Sequence, residues 1–247
     1  MHIKLLQENQ KKLQQQSSDF YTGTGLHVYI KDPLIDPSID IEKVVNKVEN
    51  MLPHTMLSEV EMVIIGDFEE FVDRSINAAY KDGALYVSNV QTDEEDMVDD
   101  MIHEIAHSLE APYGYEIYGD QKIKEEFLRK RARLHDILWY EGFKAPKSFF
   151  KDIEYDKKFD DFLLKKVGYD KLRKYCLGLF INAYAPTSLR EYFATAFTDF
   201  YIEPDGHVYL KKISPEAYKK IYELYEQRSY FKKKLTMTFL SKNLKAV

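Results

Sequence analysis

One cysteine, Cys176, among 247 residues leaves no disulfide framework and no cysteine-built zinc site, and suits a reducing compartment. Glycine and proline are scarce, at 10 and 8, which excludes collagen-like and low-complexity chains. No apolar run approaches the 18 residues of a membrane span. The start Met1-His2-Ile3-Lys4-Leu5-Leu6-Gln7-Glu8 turns polar before the apolar part of an export signal can form. The chain is therefore expected to act in the cytoplasm of its producing cell, or to be delivered without a Sec signal, in a phage particle or as an effector. What is present favours a folded core: 45% of residues are hydrophobic, with 19 Tyr and 15 Phe. Size scaling gives roughly 11,000 Å² of folded surface against about 42,000 Å² for the extended chain.

The charge is unevenly spread. Residues 1–120 carry 8 basic and 24 acidic side chains, a balance of −16, whereas residues 121–247 carry 27 and 17, a balance of +10. This predicts either two oppositely charged lobes facing each other across a cleft, or helices with solvated charged faces. An acidic lobe favours cationic ligands, and no nucleic-acid-binding module is recognisable in the basic half.

Periodicity predicts an α+β chain without internal repeats. Residues 1–24 form an N-terminal extension, a helix or an arm, and the fold begins near Gly25. Strands are expected at Leu26–Ile30, Val60–Ile65 and, after an Asp-Gly turn, Gly83–Ser88; a helix is expected over 38–50. Beyond Thr92 the pattern is helical, over 93–110, 120–141, 146–166, 169–182, 188–201 and 215–238, the last opened by Ser214 and Pro215. A small α/β lobe, 25–110, thus precedes a helical lobe, 111–247.

The chemistry concentrates at His103-Glu104-Ile105-Ala106-His107. Thr92 and Glu95 stand at capping-box spacing and can open the helix that carries it. Val98, Ile102, Ile105 and Leu109 form one narrow stripe, and His103 and His107 project from the opposite side. Imidazoles four apart can bind one Zn²⁺ at about 2.0–2.1 Å, with Glu104 beside the open position as general base for a bound water. A third protein ligand is required. The metzincin extension calls for Gly and His where this chain has Glu110 and Tyr113, so the ligand lies elsewhere. His135, in a charged helical stretch, and His207, after Pro-Asp-Gly, are expected to be exposed. Glu191 is the better candidate: a helix from Ser188 buries Phe193, Phe197 and Phe200 and turns Glu191 away from them. Ser188 and Glu191 are also three apart, so spacing alone allows Glu191 to be a helix cap.

The motif, together with Tyr184 seven residues before Glu191 and Tyr192-Phe193-Ala194 and Phe197 after it, resembles the anthrax-lethal-factor-like gluzincin metallopeptidases, a family that includes the Pro-Pro endopeptidases. The likeness extends loosely from Gly25 to Tyr225. It implies a zincin-like fold with the active site in the cleft between the lobes, and one zinc held by His103, His107 and Glu191. It implies Glu104 as general base and Tyr184 as the phenol that stabilises the oxyanion. Relatives place an acidic residue one turn after the glutamate ligand to hold a zinc-bound histidine; here Thr195 stands there, with Asp199 a turn later as a substitute. In zinc peptidases of this kind the strand before the motif helix pairs with substrate, which points to the backbone of Ala84, Leu85, Tyr86, Val87 and Ser88.

The expected function is zinc-dependent endopeptidase, acting on polypeptide with basic residues near the scissile bond, without nucleic-acid or membrane partners. The alternative is an inactive zincin-fold binding or structural protein, docking through residues 1–19. An amino-terminal hydrolase ranks below both, because the Gly-x-Met-Glu-Asn motif is absent.

Overall fold

The computed structural model describes residues 19–74, 76–203 and 207–226. The chain is mixed α+β and divides into two compact units, Met1–Pro112 and Tyr113–Val247.

The first unit is built on a five-stranded sheet of β1 (Phe20–Tyr21), β2 (His27–Ile30), β3 (Met62–Gly66), β4 (Ala78–Lys81) and β5 (Ala84–Ser88). Their order is β1-β2-β3-β5-β4; the three central strands are parallel and both outer pairs antiparallel. Parallel neighbours need a crossover, and between β2 and β3 helix α1 (Ile41–Met51) supplies it. Asp40 caps α1 by accepting from Lys43 N at 3.0 Å, and Ile41, Val44, Val45 and Val48 are buried. β4 and β5 form a hairpin whose turn needs positive φ at two residues, 51° at Asp82 and 82° at Gly83, which Asp-Gly provides. A short helix, α2 (Glu69–Arg74), precedes β4.

Helix α3 (Glu94–Tyr118) carries the histidine motif. Asp93 rather than Thr92 caps it: Asp93 Oδ1 accepts from Asp96 N at 2.9 Å, and Asp96 Oδ2 in turn accepts from Thr92 N at 3.3 Å. Ion pairs of Lys43 with Glu94 and Lys47 with Glu95 tie its first turn to α1. Met97, Val98, Met101, Ile102, Ile105, Ala106 and Leu109 are all at most 1% exposed, the apolar stripe expected of an amphipathic helix. α3 passes through Pro112 and runs eight residues beyond the expected end at 110.

The second unit is helical: α4 (Lys122–Tyr140), α5 (Lys157–Asp161), α6 (Tyr169–Cys176), α7 (Leu189–Ile202) and α8 (Val208–Ile213), with residues 215–226 also helical. Its centre holds a charged network. Glu126, 1% exposed, accepts from Tyr192 Oη at 2.7 Å and from the backbone of Glu216 and Ala217 at 3.1 and 3.4 Å, which satisfies the helix that starts at 215. One turn on, Lys130 donates to Ser214 Oγ at 2.8 Å and lies 4.9 Å from the Tyr192 ring centroid; burial lowers its ammonium to about 8.

Arg131 explains the largest departure from the expected helices. The stretch 146–166 is broken into a 3₁₀ turn at Lys147–Phe150, an irregular segment, α5, and a π-helical turn at Phe162–Val167. The buried guanidinium of Arg131 donates to the carbonyls of Phe149 and Asp152 and stacks 4.2 Å from the Phe159 ring, satisfying backbone that a continuous helix would have paired internally. Asp156 then restarts the helix by capping Phe159 N at 2.8 Å. The 169–182 helix ends early, at Cys176. β1, β4, α2 and α8 were not expected, and β1 places sheet structure ahead of Gly25. The expected helix or arm at 1–18 and the end of the helix at 227–238 lie outside the described residues.

Two stability measurements follow. Glu126→Ala strands a buried phenol and two backbone donors and should cost about 3 kcal/mol in denaturant unfolding. Asp100 has one carboxyl oxygen without a hydrogen-bond partner among the described residues, and burial raises the group to about 7. The folded state then keeps a proton that the unfolded state releases between pH ~4 and ~7. The group's contribution is complete below that window and lost as pH rises through it. Asp100→Asn should raise Tm by at least about 2 °C at pH 8, with the gain vanishing near pH 4.

Candidate metal centre

The site begins with one helical turn of α3. His103 and His107 sit half-buried on the face opposite the apolar stripe, with ring centroids 5.1 Å apart and planes inclined at 74°. Their separation follows from the i, i+4 geometry of the helix alone. His107 Nδ1 lies 2.7 Å from Glu110 Oε1. Glu104, between the two histidines, accepts a hydrogen bond at 2.8 Å from the backbone N–H of Tyr80 on β4.

That contact depends on sheet register. Ser88 N donates to Asn77 O, so along β4 the residues alternate: Ala79 and Lys81 face β5, while Ala78 and Tyr80 turn their backbone groups outward. The outward N–H of Tyr80 is the one that holds Glu104. The same register corrects the expectation for Ala84–Ser88. That strand lies between β3 and β4 with both edges paired, so its backbone is closed to an added strand, and the edge belongs to β4.

Glu191 stands in the first turn of α7. Ser188, in extended conformation, caps the helix by accepting from Glu191 N at 3.1 Å, and Leu189 N donates to Ile153 O at 2.8 Å, which fixes where the helix begins. Capping engages the backbone N–H of Glu191, so the cap and a ligand role for its carboxylate are compatible. Tyr192, Phe193, Ala194, Ala196 and Phe197 are fully buried and set the helix rotation.

Tyr184 lies in the turn before α7, tied at both ends of its peptide. Its N–H donates to Asn182 Oδ1 at 2.9 Å, and its carbonyl accepts from Thr187 N and Oγ1 at 2.9 and 2.8 Å. Burial, then the charge of Glu191, raises the Tyr184 phenol far above its ordinary value, so it stays a hydrogen-bond donor at any physiological pH. Burial, then the charge of Asp160, also raises Tyr169, and Asp160 adds to the shift at Tyr184; Asp160 also accepts from Tyr155 Oη at 2.9 Å. Beside Tyr184 a cavity of about 430 Å³ is lined by Tyr169, Arg173, Cys176, Phe180 and Asn182.

His103, His107 and Glu191 each offer one ligand atom within 4.8 Å of the other two, a group that can hold a metal ion. Two imidazoles and a carboxylate are a donor set that suits zinc, whose tetrahedral bonds of about 2.0–2.1 Å would draw the ligand atoms to about 3.3 Å apart. The other histidines considered as ligands are engaged elsewhere. His135 is 6% exposed, contrary to expectation, packed 5.0 Å from Phe150 and 5.6 Å from Trp139. His207 is half-buried and stacks on Phe200 at 4.0 Å. On α7, Thr195 is buried with its hydroxyl unpartnered among the described residues, and Asp199 is half-buried. Glu110 and the Tyr80 N–H were missed from sequence. A carboxylate three residues after His107 was a legible signal; a backbone donor on an unexpected strand was not.

No protein-family model, characterised protein or solved structure matches the chain, so the chemistry rests on the residues themselves. Titration of the metal-free protein with Zn²⁺ should give one tight equivalent per chain. His103→Ala and His107→Ala should abolish it, and Glu191→Gln should weaken it at least about 100-fold.

Proposed function

We propose that this protein is a zinc-dependent endopeptidase of the zincin type, akin to the lethal-factor-like gluzincins that its motifs resemble. The observation that carries the reading is the convergence of one ligand atom each from His103, His107 and Glu191, with Glu104 between the histidines in sequence. Zinc held by these three side chains would supply Lewis acidity, acidifying water and polarising a peptide carbonyl.

The chain's own residues then have distinct tasks. Glu104 takes a proton from the attacking water and passes it to the leaving amine, the exchange expected of a general base that becomes a general acid. The hydrogen bond from Tyr80 N to one of its oxygens fixes the carboxylate's orientation and leaves the other oxygen for that exchange. Tyr184, held in its protonated form, donates a hydrogen bond to the oxyanion as charge develops on the substrate carbonyl. An extended peptide pairs with the outer edge of β4 through the outward groups of Ala78 and the Tyr80 carbonyl. The −16 balance of residues 1–120 favours basic residues near the scissile bond, whereas Arg173 in the cavity beside Tyr184 disfavours a cation at the position that enters it.

The test uses the zinc-loaded full chain and a mixed peptide library varied in charge. Wild type should cleave, Glu104→Gln should lose about 10²–10⁴-fold in kcat/KM while retaining zinc, and Tyr184→Phe should lose about 10²-fold in kcat with KM nearly unchanged. Bound zinc without cleavage of any library member would instead assign the protein to non-catalytic binding.

A further inference from the structure

One of the two residues that set this chain apart from the metzincin extension is in contact with a candidate ligand. Glu110 stands three positions after His107 on α3, with Oε1 at 2.7 Å from Nδ1, and the two side chains are only 9% and 12% exposed. A surface pair at this spacing stabilises a helix only slightly. This one is largely withdrawn from water, where a carboxylate is costly unless it accepts a strong hydrogen bond.

An imidazole that gives its Nδ1 proton to a carboxylate keeps its lone pair on Nε2, so the contact selects one tautomer and one ring orientation. Because donor and acceptor share one helix, backbone geometry presets the pair and little side-chain entropy remains to be lost on metal binding. Thr195, by contrast, offers only a neutral hydroxyl on α7.

We propose that Glu110 is a positioning residue for the metal: it holds His107 in the Nδ1–H tautomer, presents Nε2 to the ion, and supplies from the motif helix the charged support that Thr195 does not. The proposal rests on the reading of His103, His107 and Glu191 as a zinc site, and its test separates the two.

Zinc affinity is measured by competition with a chromophoric chelator on the full chain, for wild type, Glu110→Gln, Glu110→Ala, Glu110→Asp and His107→Ala. The expected result is a 10–100-fold loss for the Gln and Ala variants, partial recovery with Asp, and loss of binding in His107→Ala. The metal-free protein supplies a second readout: long-range ¹H–¹⁵N spectra should show His107 as the Nδ1–H tautomer in wild type and a shift toward Nε2–H in Glu110→Ala, which a purely structural role would not produce. Gln is isosteric, so if Ala fails to fold the Gln and Asp variants decide. Wild-type zinc affinity in both Glu110→Gln and Glu110→Ala, with His107→Ala still defective, overturns the role of Glu110 and leaves the zinc site standing. Wild-type affinity in His107→Ala overturns the zinc site and this proposal with it.

Discussion

Two imidazoles one turn apart can share an ion only while the opposite face of their helix is held still. On α3 that face is made of Met97, Val98, Met101, Ile102, Ile105 and Leu109, all essentially removed from water. Each such side chain contributes about 1.5–3 kcal/mol by burial. The ion pairs of Lys43 and Lys47 with the first turn lie in solvent, where water screens them, and contribute far less. The apolar stripe therefore anchors the helix, and the ion pairs only bias how its first turn meets α1. A carboxylate brought to the histidines from elsewhere in the chain is useful only because this anchoring fixes where they point.

Around the histidines, polar groups that would be costly if left alone are engaged. Glu104 receives the backbone N–H of an edge strand, and His107 meets Glu110. In the second unit, Tyr184 is fixed through its own peptide, whose N–H and carbonyl are both engaged. Hydrogen bonds of this kind contribute modestly to stability, but they limit the number of side-chain arrangements the site samples. Such preorganisation is what a metal site and an acid–base group both require.

What the sequence made legible was governed by local periodicity. The histidine spacing, the apolar stripe opposite it and the helix expected over 38–50 follow from helix geometry. The apolar run of β3 and the Asp-Gly hairpin follow from strand and turn chemistry. Glu191 was only half legible, because Ser188–Glu191 spacing is equally that of a cap, and the structure shows the cap using a backbone donor. β4 was illegible: Ala-Ala-Tyr-Lys has little strand propensity, and tertiary pairing with β5 decides it. That miss carried a second one, since without β4 the strand Ala84–Ser88 reads as an edge. The charged stretch around His135 misled in the same way: it suggested an exposed helix face, whereas His135 is buried and the guanidinium of Arg131 lies in the core, donating to two carbonyls.

The most direct measurement is crystallographic: diffraction from zinc-soaked crystals collected on either side of the zinc absorption edge. The account predicts a single strong anomalous peak per chain within about 2.0–2.2 Å of His103, His107 and the Glu191 carboxylate. A peak held by other side chains, or density in which Glu191 lies apart from an ion bound by the histidines, would contradict it.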